Sequence, residues 1–381
     1  MDSSPPAAPP RFAIPANPIP EVSIIVPARN EEANLGACLE SLIAQTGVAF
    51  EVIVVDDAST DRTPEIAQSF AGVQVISSGP LPKNKGGAGT RWTGKNNALI
   101  AGAKQARAPW LLFTDADTMH RPGSLARALT EAKDEQADLL SYSPEQVVVT
   151  LAERSVMPAV FAELAVQYPP HKVRDQRSQI VAANGQYMLV RRAAYDAVGG
   201  HAAVASEILE DVALARRFRD AGKRVYFRYG GDAVRTRMYR NWAQLREGWT
   251  KNLALLFPQP EFLAFQSVLL WCAVWWALGV AVSAAVTRHF LWIALAFFWL
   301  LLYRRIRAAH FATVNNLLAI TVGLPIFAYL LLRSKNAHKN GRVSWKGRVY
   351  NRDVASESTP AAHQAANSIV SIESKKLRTE S

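Results

Sequence analysis

The chain has 381 residues, with 43 Lys and Arg against 32 Asp and Glu, a formal net charge of +11 and two cysteines. That length allows one large domain or two ordinary ones with ample core. Cys38 and Cys272 cannot build a disulfide framework, which excludes a stapled secreted fold. Each lies in an apolar stretch and reads as a buried small hydrophobe.

Residues 1–20 hold seven of the 21 prolines and show no apolar periodicity, so they are expected to form a disordered arm. A basic start followed by an apolar run is missing there, which argues against a cleaved signal peptide. From Glu21 the pattern becomes βα alternation. Val22–Val26 predicts a strand ended by Pro27, and helical spacing follows from Glu31 through Leu35, Leu39, Leu42 and Ile43 to Gly47. Val52–Val55 predicts a second strand, Thr63-Pro64 the start of a second helix, and Val73–Ile76 a third strand. Asn96–Ala106 is expected to be helical, Trp110–Thr114 a strand and Pro122–Glu135 a helix. Short β-branched runs alternating with helices imply a mainly parallel sheet covered on both faces. Such sheets bind ligands outside the carboxyl ends of their strands.

Beyond Ala137 the alternation loosens. Leu151–Tyr168 predicts a helix, Ile180–Val190 holds strand-like segments, and Leu209–Ala221 is a patterned helix ended by Gly222. Val225–Tyr229 and Val234–Met238 read as strands. The soluble part is thus placed at 21–257, an apolar region at 258–333 and a basic, largely disordered tail at 334–381. Phe262–Thr287 has no charged residue over 26 positions. At about 1.5 Å per residue it exceeds the roughly 30 Å hydrocarbon layer. A second run, Phe290–Tyr303, is bounded by Arg304, Arg305 and Arg307. The third, Phe311–Leu332, is interrupted by Asn315, Asn316, Gly323 and Pro325 and suits a re-entrant or interfacial helix as well as a span. Lys and Arg place the catalytic part, the Arg304–Arg307 loop and the tail on the cytoplasmic side of the cell membrane. Three full crossings cannot satisfy all three, so one run is expected not to cross.

Two acidic clusters fall at strand carboxyl ends: Asp56-Asp57-Ala58-Ser59-Thr60-Asp61 and Asp115-Ala116-Asp117. Two Asp one residue apart in a turn can aim both carboxylates at one hard cation, Mg²⁺ or Mn²⁺, which also bridges nucleotide phosphates. Gly94-Lys95-Asn96-Asn97 opens a helix after Lys85-Gly86-Gly87-Ala88-Gly89, and a helix N-terminus with a lysine beside it suits a diphosphate. Glu210-Asp211 opens another helix, where acidic residues suit the dipole and one of them can serve as a general base.

These residues resemble the family 2 glycosyltransferases, which have the GT-A fold. The likeness runs from about Val22 to Asn252 through Ile24-Ile25-Val26-Pro27-Ala28-Arg29-Asn30-Glu31, Val54-Val55-Asp56-Asp57, Gly94-Lys95-Asn96-Asn97-Ala98-Leu99, Asp115-Ala116-Asp117, Asn184-Gly185-Gln186-Tyr187 and Glu210-Asp211. With the apolar C-terminal region and the Trp345-Lys346-Gly347-Arg348 tail, it looks most like the hopene-associated and carotenoid-type members. The resemblance implies a nucleoside-diphosphate sugar donor, with uridine diphosphate the usual carrier, and a metal-dependent inverting transfer. Ala28, Glu31 and Asp57 would line the nucleoside pocket, Lys95 would approach the diphosphate, and Asp115 would contact ribose or metal. Asp117 would be the main metal ligand, and Asp211, beside Glu210, the catalytic base.

Polysaccharide synthases of this family carry Gln-x-x-Arg-Trp, whereas Gln244-Leu245-Arg246-Glu247-Gly248-Trp249 here separates Arg from Trp. Single-sugar transfer is therefore expected over polymer extrusion. Trp249 and Lys251 are candidates for the acceptor side; alternatively Trp242 and Trp249 anchor an amphipathic interfacial helix. A nucleotidyltransferase would want a Gly-rich loop after the first strand, where Pro27-Ala28-Arg29-Asn30-Glu31 stands instead. A non-catalytic basic membrane-binding protein is the rival from another class. The positive charge collects near the membrane and in the tail, which fits anionic lipid and not nucleic acid. A catalytic domain tethered by apolar helices suits a lipid acceptor.

Overall fold

A computed structural model describes residues 19–82, 92–287, 291–345 and 348–350. The sequence places apolar-rich segments at β1 (Val22–Ala28), β2 (Phe50–Asp56), β3 (Val73–Ser77) and β4 (Trp110–Phe113), and these pair in parallel in the order β3-β2-β1-β4. β5 (Thr118–His120), β6 (Leu139–Ser143), β7 (Glu145–Gln146), β8 (Met188–Arg191), β9 (Val225–Tyr229) and β10 (Val234–Thr236) follow. The main sheet has seven strands, ordered β3-β2-β1-β4-β8-β6-β9, and only β8 runs antiparallel to its neighbours. A second sheet, β5-β10-β7, lies beside the carboxyl edge.

Helices α1 (Leu35–Ile43), α2 (Thr63–Gln68), α3 (Gly94–Gln105), α4 (Ser124–Asp134), α5 (Leu151–Gln167), α6 (Pro170–Arg174), α7 (Arg192–Ala197) and α8 (Glu210–Asp220) complete this domain. One core cluster packs α1 and α4 on one face of the sheet, and another packs α3 and α8 on the opposite face. Gly102 lets α3 lie flat on β1 and β2, since a Cβ there would stand 2.5 Å from Ile25 Cγ2. Helix α1 starts at Leu35 and not at Glu31. Asn30 has φ of 51°, and the N–H groups of Glu31 and Glu32 bond the Thr63 and Asp61 side chains across the loop.

α9 (Trp242–Leu256) leads to α10 (Pro260–Thr287) and α11 (Leu291–Arg307), an antiparallel hairpin whose tip lies outside the described residues. α12 (Thr313–Leu318), a π-turn over Ala319–Gly323 and α13 (Leu324–Lys339) form the third apolar helix. Among the described residues, Pro260–Ser283 and Thr313–Lys339 are long and apolar enough to cross a membrane. They differ in packing. The first is 17% buried, whereas half of the second is covered, by α5, α9 and α10. Gly323 approaches the Ser155 carbonyl so closely that a Cβ would overlap it. Asn315 accepts from Arg154 Nε at 2.9 Å, and the Thr321 carbonyl takes indole N–H bonds from Trp271 and Trp275. The polar interruptions of this run are thus sites of attachment to its neighbours.

Three expectations need correction. Cys38 is buried, but Cys272 is exposed on the outer face of α10. Helix α13 continues past 333 because Ser334 bonds the Thr250 carbonyl at 2.7 Å and Lys335 pairs with Glu261. A hairpin, β11 (Val343–Trp345) with β12 (Arg348–Tyr350), stands within the segment assigned to a disordered tail. Residues 1–18 and 351–381, and the Lys85–Gly89 segment, lie outside the described residues.

Candidate active site

β2 and β4 flank β1 and run parallel to it, so Asp57 and the Asp115-Ala116-Asp117 turn leave the sheet at one edge. Antiparallel β8 starts at that edge and brings Asn184–Gln186 with it. The loops are pinned by their own polar groups. Asp57 N–H donates to the Ala28 carbonyl at 2.9 Å, and the Arg29 guanidinium donates to the Asp57 and Ala58 carbonyls at 2.6 and 3.0 Å. Ser78 Oγ donates to Asp57 Oδ1 at 3.2 Å, and Glu31 accepts from Asn34 Nδ2 at 3.0 Å. Thr118 Oγ1 donates to the Asp115 carbonyl at 2.7 Å, and Thr236 Oγ1 to the Asp117 carbonyl at 3.1 Å.

Thr93 caps α3 by accepting from Asn96 N–H at 3.1 Å, while the buried Asn96 amide donates to the Val204 and Ala205 carbonyls. This fixes Lys95 in the first helical turn. Its ammonium lies 2.8 Å from both Asp115 Oδ1 and Glu210 Oε1, bridging α3, the β4 turn and the start of α8. Asp211, next on α8, accepts from Gly185 N–H and from its neighbour Val212 N–H, each at 2.8 Å.

The two adjacent carboxylates are driven apart. Burial pushes the Glu210 carboxyl up, but the Lys95 ammonium outweighs it and holds the group below its usual range. For Asp211, burial and then the negative charge of Glu210 raise the carboxyl to about 6, against Lys95 and the two backbone bonds. Burial opposes ionisation of Lys95, yet Asp115 and Glu210 keep it firmly protonated. Lys251 is pulled below the usual lysine value by burial and by Lys95. A carboxylate with a raised affinity for protons beside one locked in an ion pair is the division of labour a general base requires.

Ala28, Glu31, Asp57, Lys95, Asp115, Asp117, Glu210 and Asp211 all line one cavity of about 780 Å³, as do Trp249 and Lys251 on α9. Trp249 is 2% exposed, packed edge-on to Phe161 and Tyr239, so it cannot anchor the helix in lipid; Trp242 is the exposed residue of the pair. Sequence reasoning missed the Gly185 N–H as partner of Asp211. It also missed the wall that α5 and the Ala308–His310 loop contribute. The Asn184-Gly185-Gln186 motif was a signal for the first; the second depends on long-range packing.

Among the described residues no three His, Cys, Asp or Glu side chains converge as a metal cage. Asp115 and Asp117 offer carboxylate oxygens only. That set fits Mg²⁺ or Mn²⁺ held by one or two carboxylates and completed by substrate phosphates. A Cβ on Gly185 would stand 3.2 Å from Lys95 Nζ and 3.4 Å from Glu210 Oε1. Gly185→Ala is therefore expected to displace the movable ammonium and cut turnover about tenfold to a hundredfold with little change in melting temperature. Steady-state kinetics and thermal melts of one preparation would check this.

Residues 23–199 match the family described as "Glycosyl transferase family 2". Curated relatives include the 4,4'-diaponeurosporenoate glycosyltransferases of Staphylococcus aureus strains MRSA252 and USA300. Each is 29% identical, covering 86% of this chain and 88% of the relative. Similar solved structures include the mannosyltransferase PcManGT from Pyrobaculum calidifontis in complex with GDP-Man and Mn²⁺. It has a TM-score of 0.45 at 18% identity, covering 84% of this chain and 86% of that one. S. aureus TarS 1-349 in complex with UDP-GlcNAc gives a TM-score of 0.40 at 19% identity, covering 62% and 65%. Sheet order, acidic edge and family match agree: residues 23–199 form a domain of glycosyl transferase family 2, built on the GT-A fold.

Proposed function

We propose that this enzyme moves one sugar from a nucleoside-diphosphate sugar, UDP-linked in the first instance, to an oxygen of a lipid-type acceptor, with inversion at the anomeric carbon. The observation that carries the reading is the convergence of Asp57, Lys95, Asp117 and Asp211 on one cavity, although they come from four separate loops and helix starts. Asp57, Glu31 and Ala28 hold the nucleoside at the β1–β2 end. Lys95, in the first turn of α3, receives the diphosphate with the positive end of the helix dipole behind it. A divalent cation bound by Asp117 and Asp115 would neutralise the charge of the departing nucleoside diphosphate. Asp211 accepts the proton of the acceptor hydroxyl as its oxygen attacks, and Glu210 keeps Lys95 in place.

The name of the Staphylococcus relatives favours a carotenoid-type acceptor. In this reading the α10–α11 hairpin enters the cell membrane and both of its ends stay on the side of the catalytic domain. With the third apolar run as the one that does not cross, Arg304–Arg307 and the basic end of α13 both lie cytoplasmic, as the charge rule asks. The test is a comparison of lipids extracted from a host with and without the chain, by mass spectrometry. A new glycolipid that vanishes in Asp117→Ala is expected; an unchanged lipid profile alongside intact UDP-sugar hydrolysis would defeat the lipid acceptor.

A further inference from the structure

The cavity is divided by chemistry. Its sheet-edge end is lined by the ionised groups described above; its other end is lined by Phe161, Leu164 and Ala165 of α5, Leu256 of α9, and Ala308 and Ala309 after α11. The apolar end has no work to do for a sugar or a phosphate. The helices that form it also carry apolar residues on their outer faces. Ala165 and Leu256 face the cavity, while their chain neighbours Val166 and Leu255 are 54% and 42% exposed on the outside. Phe262 and Phe265, in the first turns of α10 that follows α9, are exposed as well.

The wall is held in place by specific bonds. Tyr168 Oη donates to the Leu256 carbonyl at 2.7 Å, joining the ends of α5 and α9. Arg305 pairs with Glu163 at 2.8 Å, and His310, at a φ of 62°, stacks on Tyr229 with centroids 3.9 Å apart. These contacts keep the return loop of the membrane hairpin at the cavity rim. A loop at a left-handed non-glycine residue is held there only where its surroundings over-determine it.

We infer that the apolar end of the cavity, between α5, the end of α9 and the Ala308–His310 loop, is the subsite for the hydrocarbon chain of the acceptor. The inference rests on the lipid-acceptor reading and adds where the chain lies. Occupant and route follow from the shared lining: one cavity carries both the charged site and this apolar wall, and the helices that form the wall present further exposed apolar residues outward. An apolar chain buried there is held by its removal from water, so its polar end is presented to Asp211 without a dedicated headgroup pocket.

The test uses the full chain in phosphatidylcholine–phosphatidylglycerol vesicles, with a diazirine-bearing hexadecanol as photolabel and UDP titration alongside. Label is expected on peptides holding Phe161–Ala165 and Ala308–His310, besides the outer faces of α10 and α11. Ala165→Trp and Ala309→Trp, which fill the compartment from opposite walls, should each lower cavity labelling about fivefold or more, with UDP affinity unchanged within about twofold. Label confined to α10 and α11, or cavity labelling unmoved in both variants, overturns the subsite. Cavity labelling without UDP binding in the wild type would instead overturn the glycosyltransfer reading on which it rests.

Discussion

Asp211→Asn is expected to lower sugar transfer about a thousandfold while leaving UDP affinity within about twofold, the signature of a lost general base. The amide keeps the shape and one acceptor oxygen for the Gly185 N–H but cannot take a proton. The wild-type pH profile is set by the same group. Asp211 works only when ionised, and burial with the neighbouring Glu210 charge lifts its carboxyl to about 6. Activity should therefore be full above that value and fall as pH drops through it, with kcat/KM reporting the free enzyme. An ordinary aspartate would hold its activity down to much lower pH. In Asp211→Asn this acidic limb should vanish along with most of the rate. Retention of the rate within about tenfold would remove Asp211 as the base and point to an acceptor that arrives already ionised.

The parts of the fold visible in sequence are those whose stability is local. β1, β2 and β4 are continuous apolar runs because both faces are covered, and Asp57 and Asp115 follow them directly, so the acidic edge could be placed before any coordinates. β6 was missed for the converse reason. Leu139–Ser143 mixes apolar with polar side chains, and its Ser141 hydroxyl is buried by bonding the backbone of Asn184, forty-three residues on in the chain. No local pattern announces such a pairing. The same holds for β8, whose reversed direction brings Gly185 to Asp211. Membrane segments divide similarly. The length and lack of charge of α10 suffice to mark it, whereas the fate of the third run depends on Gly323 against Ser155 and on Asn315 against Arg154, partners more than 160 residues away in sequence.

Lys95→Met and Glu210→Gln form an opposed pair whose signs follow from one geometry. Lys95 stands 2.8 Å from Asp115 and Glu210, and its charge lowers the Asp211 carboxyl. Removing it takes away the cation expected at the diphosphate and leaves three carboxylates facing one another. UDP affinity should drop about thirtyfold or more. The acidic limb of the pH profile should move above 6, since only the Gly185 and Val212 backbone bonds then offset burial and the Glu210 charge. Glu210→Gln does the reverse to Asp211. It removes the like charge that raises that carboxyl, so the limb should move below 6. Lys95→Arg, which keeps the charge, should leave the limb near its wild-type position while weakening turnover through altered reach. Limbs that moved in the same direction in Lys95→Met and Glu210→Gln, or not at all, would mean that Asp211 does not titrate within this cluster. The base would then have to be sought elsewhere in the cavity.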